Sequence, residues 1–205
     1  MPNNYIESMN VNCHAIINNT IEIVKYRHWT HDFKQYEREI INADDMCETI
    51  NKYFYFEKKP LSREEEQYPL AFGFVLYKDI AQVLLELSIF YHPQNAYCIT
   101  IDGTAHKSFK RVMHALPKCF NNIAVFVGRR SQWGTYGILD NVFHCFKHLT
   151  LLRHDWKYYQ YLSGSDLPLR TNLEMVRIMK ALNGSINTDI EEYEMDRYRK
   201  MEVTK

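Results

Sequence analysis

The most constraining feature of this chain is a regular alternation of strand-like and helix-like segments, which begins at Tyr68. Leu70–Tyr77 is a continuous apolar run of strand length. Ile80, Val83, Leu84, Leu87 and Tyr91 then share one helical face at i, i+3, i+4, i+7 and i+11 spacing. Ala96–Asp102 reads as a second strand, and Phe109, Val112, Met113 and Leu116 stripe a second helix. Ile123–Val127 is a third strand. Ile138, Val142, Cys145, Phe146, Leu149 and Leu152 stripe a third helix, and Tyr158–Leu162 is a fourth strand. A capping box, Thr171-x-x-Glu174, opens a last helix that stops at Asn183-Gly184. Strands and helices in strict alternation predict an α/β fold: a mainly parallel sheet, right-handed crossovers and flanking helices.

Residues 1–67 are more polar. They predict helical runs over Ala15–Val24 and Phe33–Tyr53, followed by the charged stretch EKKPLSREEEQ. Pro60 and Ser62 there open a short helix or turn, and the charge run reads as a solvated connector. The expected division is therefore an N-terminal helical, stem-proximal region over 1–67 and an α/β unit over 68–205. Four parallel strands with an open last edge make an unfinished sheet, so the α/β unit reads as incomplete.

Charge excludes some partners. Twenty-five basic and 25 acidic residues cancel, which leaves no electrostatic case for nucleic acid or an anionic membrane. The longest apolar stretch, Pro69–Tyr77, is too short to span a bilayer, and MPNNYIESMN lacks the form of a signal peptide. Taken literally, these features describe a soluble cytosolic protein. Five cysteines (Cys13, Cys47, Cys98, Cys119 and Cys145) and N-x-S/T sequons at Asn18 and Asn183 point instead to an oxidising, glycosylating compartment. From the residues alone, buried free thiols with chance sequons remain the alternative.

A ligand of such a sheet sits beyond the carboxyl ends of its strands. Those ends are Val75-Leu76-Tyr77, Asp102-Gly103-Thr104, Gly128-Arg129-Arg130 and Ser163-Gly164-Ser165-Asp166. Asp102 closes an apolar strand, and its carboxylate suits either a sugar or base hydrogen bond or the cap of the following helix. Trp133 reads either as a stacking surface for a base or sugar or as a core aromatic. Neither a G-x-G-x-x-G nor a G-x-x-x-x-G-K-[ST] occurs, and no D-x-D pair is present to hold a divalent ion on a diphosphate. The nine histidines read as surface or core residues rather than zinc ligands, so no metal site is expected.

In order, the segments YPLAFGFVLYKD (68–79), HPQNAYCITID (92–102), CF-N (119–121), the WG pair at 133–134 and DWKYYQYLSGSDLPLRTNLEMV (155–176) resemble the core-2 β-1,6-N-acetylglucosaminyltransferases, over the N-terminal half of their catalytic domain. The resemblance implies a glycosyltransferase-A-like, Rossmann-like fold. It implies an inverting enzyme that moves GlcNAc from UDP-GlcNAc onto the 6-hydroxyl of an O-linked glycan acceptor, without a divalent metal or other cofactor, on the lumenal side of the Golgi membrane. The membrane anchor, the glutamate base and the diphosphate-binding cations of that family are not matched here, so no catalytic residue is assigned. A non-catalytic nucleotide-sugar- or glycan-binding remnant is the competing expectation, and a cytosolic nucleotide-binding protein with reduced thiols is a third.

By the same resemblance, the donor meets Val75, Leu76, Tyr77, Asp102, Gly103, Thr104 and Trp133, while Asp189 and Arg197 or Arg199 face the acceptor. Cys47 pairs with Cys119 and Cys98 with Cys145, and Cys13 is left for a partner in the other half. Asn18 and Asn183 are glycosylation candidates. Where the family often has a cysteine in the turn after the fourth strand, this chain has Ser163.

Overall fold

The computed structural model describes Asn18, residues 33–132 and residues 134–186. Two short helices, α1 (Lys34–Ile41) and α2 (Met46–Tyr53), replace the single helical run expected over Phe33–Tyr53. The break has a local cause. The Asn42 side chain donates to the Arg38 carbonyl at 2.8 Å, and the Asp45 carboxylate accepts from Glu48 N at 2.9 Å to open the second helix. The expected helix over Ala15–Val24 lies outside the described residues, as does Cys13.

A one-turn helix, α3 (Arg63–Glu66), follows with Ser62 as its cap. This corrects the reading of the charged stretch as wholly solvated. Glu65 is buried, and its carboxylate accepts from Ser62 Oγ at 2.7 Å and from Asn172 Nδ2 at 2.8 Å. A carboxylate in a charge run escapes desolvation cost when enough donors meet it, and sequence alone does not show those donors.

From there the alternation is realised. The elements are β1 (Leu70–Leu76), α4 (Ile80–Phe90), β2 (Ala96–Ile101), α5 (Lys107–Cys119), β3 (Ile123–Val127), α6 (Tyr136–Leu151), β4 (Tyr158–Leu162) and α7 (Asn172–Leu182). All strand pairings are parallel, in the order β3-β2-β1-β4. The chain thus steps from β1 to β2 to β3 in one direction, and α6 then returns it to the opposite side of β1. That reversal is a topological switch point, and it lies between β1 and β4.

The period-2 alternation of the strands divides the sheet into two unlike faces. Leu70, Phe72, Phe74 and Leu76 of β1, with Tyr97, Ile99 and Ile101 of β2, enter the larger core beside Val83, Leu84 and Leu87 of α4 and Val112, Met113 and Leu116 of α5. Ile40, Ile50, Phe54 and Phe56 belong to the same core, so α1 and α2 pack in one body with the sheet. On the other face Ala71, Ala96 and Cys98 form a smaller cluster with Cys145 and Leu149 of α6.

Two disulfides tie helices into this body. Cys47 of α2 is joined to Cys119 at the end of α5, and Cys98 of β2 to Cys145 of α6. One helical stripe needs correction. On α6 the buried residues are Asn141, Cys145 and Leu149, whereas Phe146 and Leu152 are exposed.

Candidate functional site

The tips of β1 and β2 and the segments that follow β3 and β4 open onto one cavity of about 680 Å³, a volume in the range of small-molecule sites, while Gly128, Arg129 and Arg130 at the end of β3 do not line it. Val75, Leu76 and Tyr77 reach it from the tip of β1, followed by Lys78, Asp79 and Gln82 at the start of α4. Asp102 and Thr104 come from the tip of β2, Ser131 and Gln132 from the β3–α6 segment, Ile138 from the first turn of α6, and Ser163, Gly164 and Ser165 from the turn after β4.

Five of the expected donor residues, Val75, Leu76, Tyr77, Asp102 and Thr104, therefore line a single cavity. Gly103 does not line it; its role is close approach. A Cβ there would stand 2.9 Å from Arg130 N and 3.1 Å from the Gly128 carbonyl, so only glycine lets the β2 and β3 tips come together. Trp133, Asp189, Arg197 and Arg199 lie outside the described residues. Asn183 is exposed at the left-handed C-cap of α7, φ 48°, and Asn18 is exposed.

Asp102 organises the rim. Its Oδ1 accepts from Thr104 N at 2.6 Å and from Thr104 Oγ1, and its Oδ2 accepts from Ser131 N at 2.9 Å. Burial pushes this carboxyl up, but the hydrogen bonds from Thr104 and Ser131 outweigh burial and hold it below the ordinary aspartate value. It does not cap α5. That position belongs to His106, whose Nδ1 accepts from Ser108 N.

Opposite Asp102, the buried Asn141 of α6 clamps the same β3–α6 segment. Its Oδ1 accepts from Arg129 N at 2.9 Å, and its Nδ2 donates to the Arg129 carbonyl at 3.0 Å and to Ser131 Oγ at 2.7 Å. A rim fixed from two sides is set before any ligand arrives, which lowers the ordering cost of binding.

Several lining residues carry no sequence signal of their own. Asp79 has φ 61° and ψ 68°, a left-handed conformation uncommon for any residue but glycine, and it places Lys78 and Asp79 at the cavity mouth as an ion pair of 3.6 Å. Gln82 donates from Nε2 to the Gly164 carbonyl at 2.9 Å, joining α4 to the turn after β4. In that turn Asp166 Oδ2 accepts from Ser163 N at 2.6 Å.

A second cavity of about 750 Å³ lies among Tyr55, Tyr91, His92, Arg170 and Asn172, and it gathers none of the expected site residues. His144 and His148 stand four apart on α6, an H-x-x-x-H spacing that the reading of the histidines passes over. Both rings pack on Phe126, with centroids 4.8 and 4.7 Å away. Among the described residues, no group of three or more His, Cys, Asp or Glu side chains is placed to hold a metal ion.

Comparison with known proteins places the chain in a family. The Core-2/I-Branching enzyme family model matches residues 70–205, which include every strand of the sheet. The beta-1,3-galactosyl-O-glycosyl-glycoprotein beta-1,6-N-acetylglucosaminyltransferase of Homo sapiens is 33% identical over 194 residues, covering 90% of this chain and 45% of that protein. Its Bos taurus counterpart is 32% identical over 206 residues, covering 94% of this chain and 48% of that protein. The chain thus spans about half the length of these curated relatives. With the family model spanning the whole sheet and relatives of this identity along most of the sequence, the chain belongs to the Core-2/I-branching enzyme family.

Proposed function

We propose that these residues form the nucleotide-sugar half of a β-1,6-N-acetylglucosaminyltransferase that uses UDP-GlcNAc as donor and O-linked glycans of glycoproteins as acceptors. The carrying observation is the cavity at the β1/β4 switch point, where the tips of β1 and β2, the segment after β3 and the turn after β4 converge on a prearranged rim. Val75, Leu76 and Ile138 offer apolar surface for a flat base. Asp102 keeps acceptor capacity on Oδ2 for a hydroxyl or an N–H, and Thr104, Ser131, Ser163 and Ser165 supply further polar partners.

The chemistry of such a transfer is displacement of the diphosphate by the acceptor hydroxyl with inversion at the anomeric carbon. It needs a carboxylate to take the hydroxyl proton and positive charge on the departing diphosphate. In this proposal Asp102 is not that base, because its carboxylate is held low and committed to Thr104 and Ser131. Lys78 is the cation lining the cavity among the described residues, and this reading assigns the base and further cations to the half of the relatives that these residues do not match. Residues 1–205 alone therefore bind donor without turning it over. Metal-free transfer is part of the same reading, supported by the lack of a D-x-D pair. A lumenal Golgi location is supported by the two disulfides and the sequons at Asn18 and Asn183.

The test is a calorimetric titration of UDP and UDP-GlcNAc with wild-type protein and Asp102→Ala, with chelator present throughout. Binding that weakens at least tenfold in Asp102→Ala is the expected result. No binding at millimolar UDP, or unchanged affinity in the variant, overturns the donor site. GlcNAc transfer by residues 1–205 alone overturns the division of labour.

A further inference from the structure

The large apolar side chains on the outer flank of α6 do not fit the pattern of a finished α/β layer. Tyr136, Leu139, Phe143 and Phe146 recur at i, i+3, i+7 and i+10, one helical stripe, and are 68%, 60%, 58% and 37% exposed. The stripe continues onto the sheet. Phe143 and Phe146 have ring centroids 5.7 Å apart, and Phe146 meets Tyr159 of β4 edge-on at 5.2 Å. Two residues along, on the same face of the same strand, Tyr161 is 44% exposed.

Position makes this patch more than scattered surface hydrophobics. β4 is an edge strand, and on the small-residue face α6 is the covering helix among the described residues. α6 sits over β1 and β2, so among the described residues no helix covers the strip above β4. Parallel sheets are normally covered on both faces, and contiguous exposed aromatic surface marks an interface. The flank of α6 toward β3 is occupied differently, by His144 and His148 on Phe126. The opening is therefore confined to the β4 side.

We propose that the strip formed by Tyr136, Leu139, Phe143, Phe146 and Tyr161 seats an apolar-faced helix from the portion of the domain that the relatives carry beyond their match to these residues. The relatives are about twice as long as the matched region, so they supply enough polypeptide for such a layer. The geometry asks for a helix lying beside α6 with an apolar stripe toward the sheet, the usual way a parallel sheet is closed. The proposal rests on family membership and not on the donor cavity, which lies beyond the strand ends.

The test is photo-crosslinking in the producing cells, with Phe143→p-benzoyl-phenylalanine in the protein at its natural length. The captured peptide is then identified by mass spectrometry. The expected product joins position 143 to a peptide homologous to the unmatched portion of the relatives, whether in the same chain or a separate one. Its yield falls at least tenfold when Leu139→Asp and Tyr161→Asp are added. Both positions are exposed, and a thermal melt confirms the variant's fold. A crosslink to any peptide within residues 1–205, to an unrelated protein or to lipid, or no crosslink, overturns the proposal. UDP titration on the same preparation reports separately on the donor cavity, so failure of one reading is not failure of the other.

Discussion

On one face of the sheet Phe72, Phe74, Tyr97, Ile99 and Ile101 meet α4 and α5 through large side chains. On the other, Ala71, Gly73, Ala96, Cys98 and Thr100 meet α6 across a layer of small ones. The large-residue face draws cohesion from apolar burial, at roughly 25 cal/mol per Å². The small-residue face buries far less, but it lets a helix come close enough for Cys98 to bond to Cys145 and for Thr100 Oγ1 to sit 3.3 Å from Cys145 Sγ. Close approach there also brings Asn141 over the β3 tip, where it fixes the rim of the cavity. One face stabilises the fold, and the other aims the site.

The disulfides offer the largest test of that contrast. Cys47 and Cys119 are 72 residues apart and Cys98 and Cys145 are 47, so chain entropy assigns about 4 kcal/mol to each, with slightly more for the longer loop. The contrast between faces predicts the reverse order. Cys98→Ala with Cys145→Ala is expected to cost more than Cys47→Ala with Cys119→Ala, because α6 has little apolar burial to fall back on. Urea unfolding of both variants decides the matter; a larger loss for the Cys47–Cys119 pair would mean that α6 is held by something other than its disulfide.

A second effect belongs to the large-residue side. Glu86 of α4 is buried, and among the described residues neither carboxylate oxygen has a well-formed hydrogen-bond partner. Burial first, and then the nearby Asp166, push its pKa from the ordinary 4.5 up to about 8. Below pH 4.5 folded and unfolded chains both hold this proton, and the associated stability is fully present. Between pH 4.5 and 8 only the folded chain keeps it, so stability falls as pH rises, and the loss levels off above pH 8. The full shift corresponds to about 5 kcal/mol, which water reaching the ionised group trims to about 3. Glu86→Leu should flatten melting temperature against pH from 5 to 8 and raise it most at the alkaline end. An unchanged slope would assign the pH dependence to other groups.

Much of the architecture was legible because strands and helices announce themselves through period. Leu70–Leu76 and Ala96–Ile101 are buried on both faces and read as unbroken apolar runs, and the Thr171–Glu174 capping box is present as written. Three of the four strand ends named from the sequence meet at one cavity, because parallel topology brings those ends to the same edge of the sheet. What stayed hidden depended on tertiary partners. Glu65 lies in a run of charges, and one of the two donors that meet its buried carboxylate, Asn172, is 107 residues away. Lys78, Asp79 and Gln82 line the cavity through a left-handed residue at the start of α4, which no local pattern marks. Phe146 and Leu152 matched a helical period and yet are exposed, because periodicity records apolar residues without saying which layer covers them.

The smallest expected effect sits where the small-residue face is tightest. A Cβ at Gly73 would meet Tyr159 Oη at 2.2 Å and Cε2 at 2.9 Å, so Gly73→Ala must displace the β4 ring, at a cost of about 2 kcal/mol. The Tyr159 hydroxyl is itself buried without a partner among the described residues, and burial pushes it up to about 12. Removing it in Tyr159→Phe should therefore stabilise by about 1 kcal/mol. In the double variant the worst contact is gone while the ring edge remains. Gly73→Ala is then expected to cost about 1 kcal/mol less than in the wild-type background, a coupling that a double-mutant cycle by urea unfolding resolves. Additivity instead would mean that β4 shifts along β1 without resistance. The ring of Tyr159 would then be a movable filler rather than the wedge that sets how closely β4 and α6 approach.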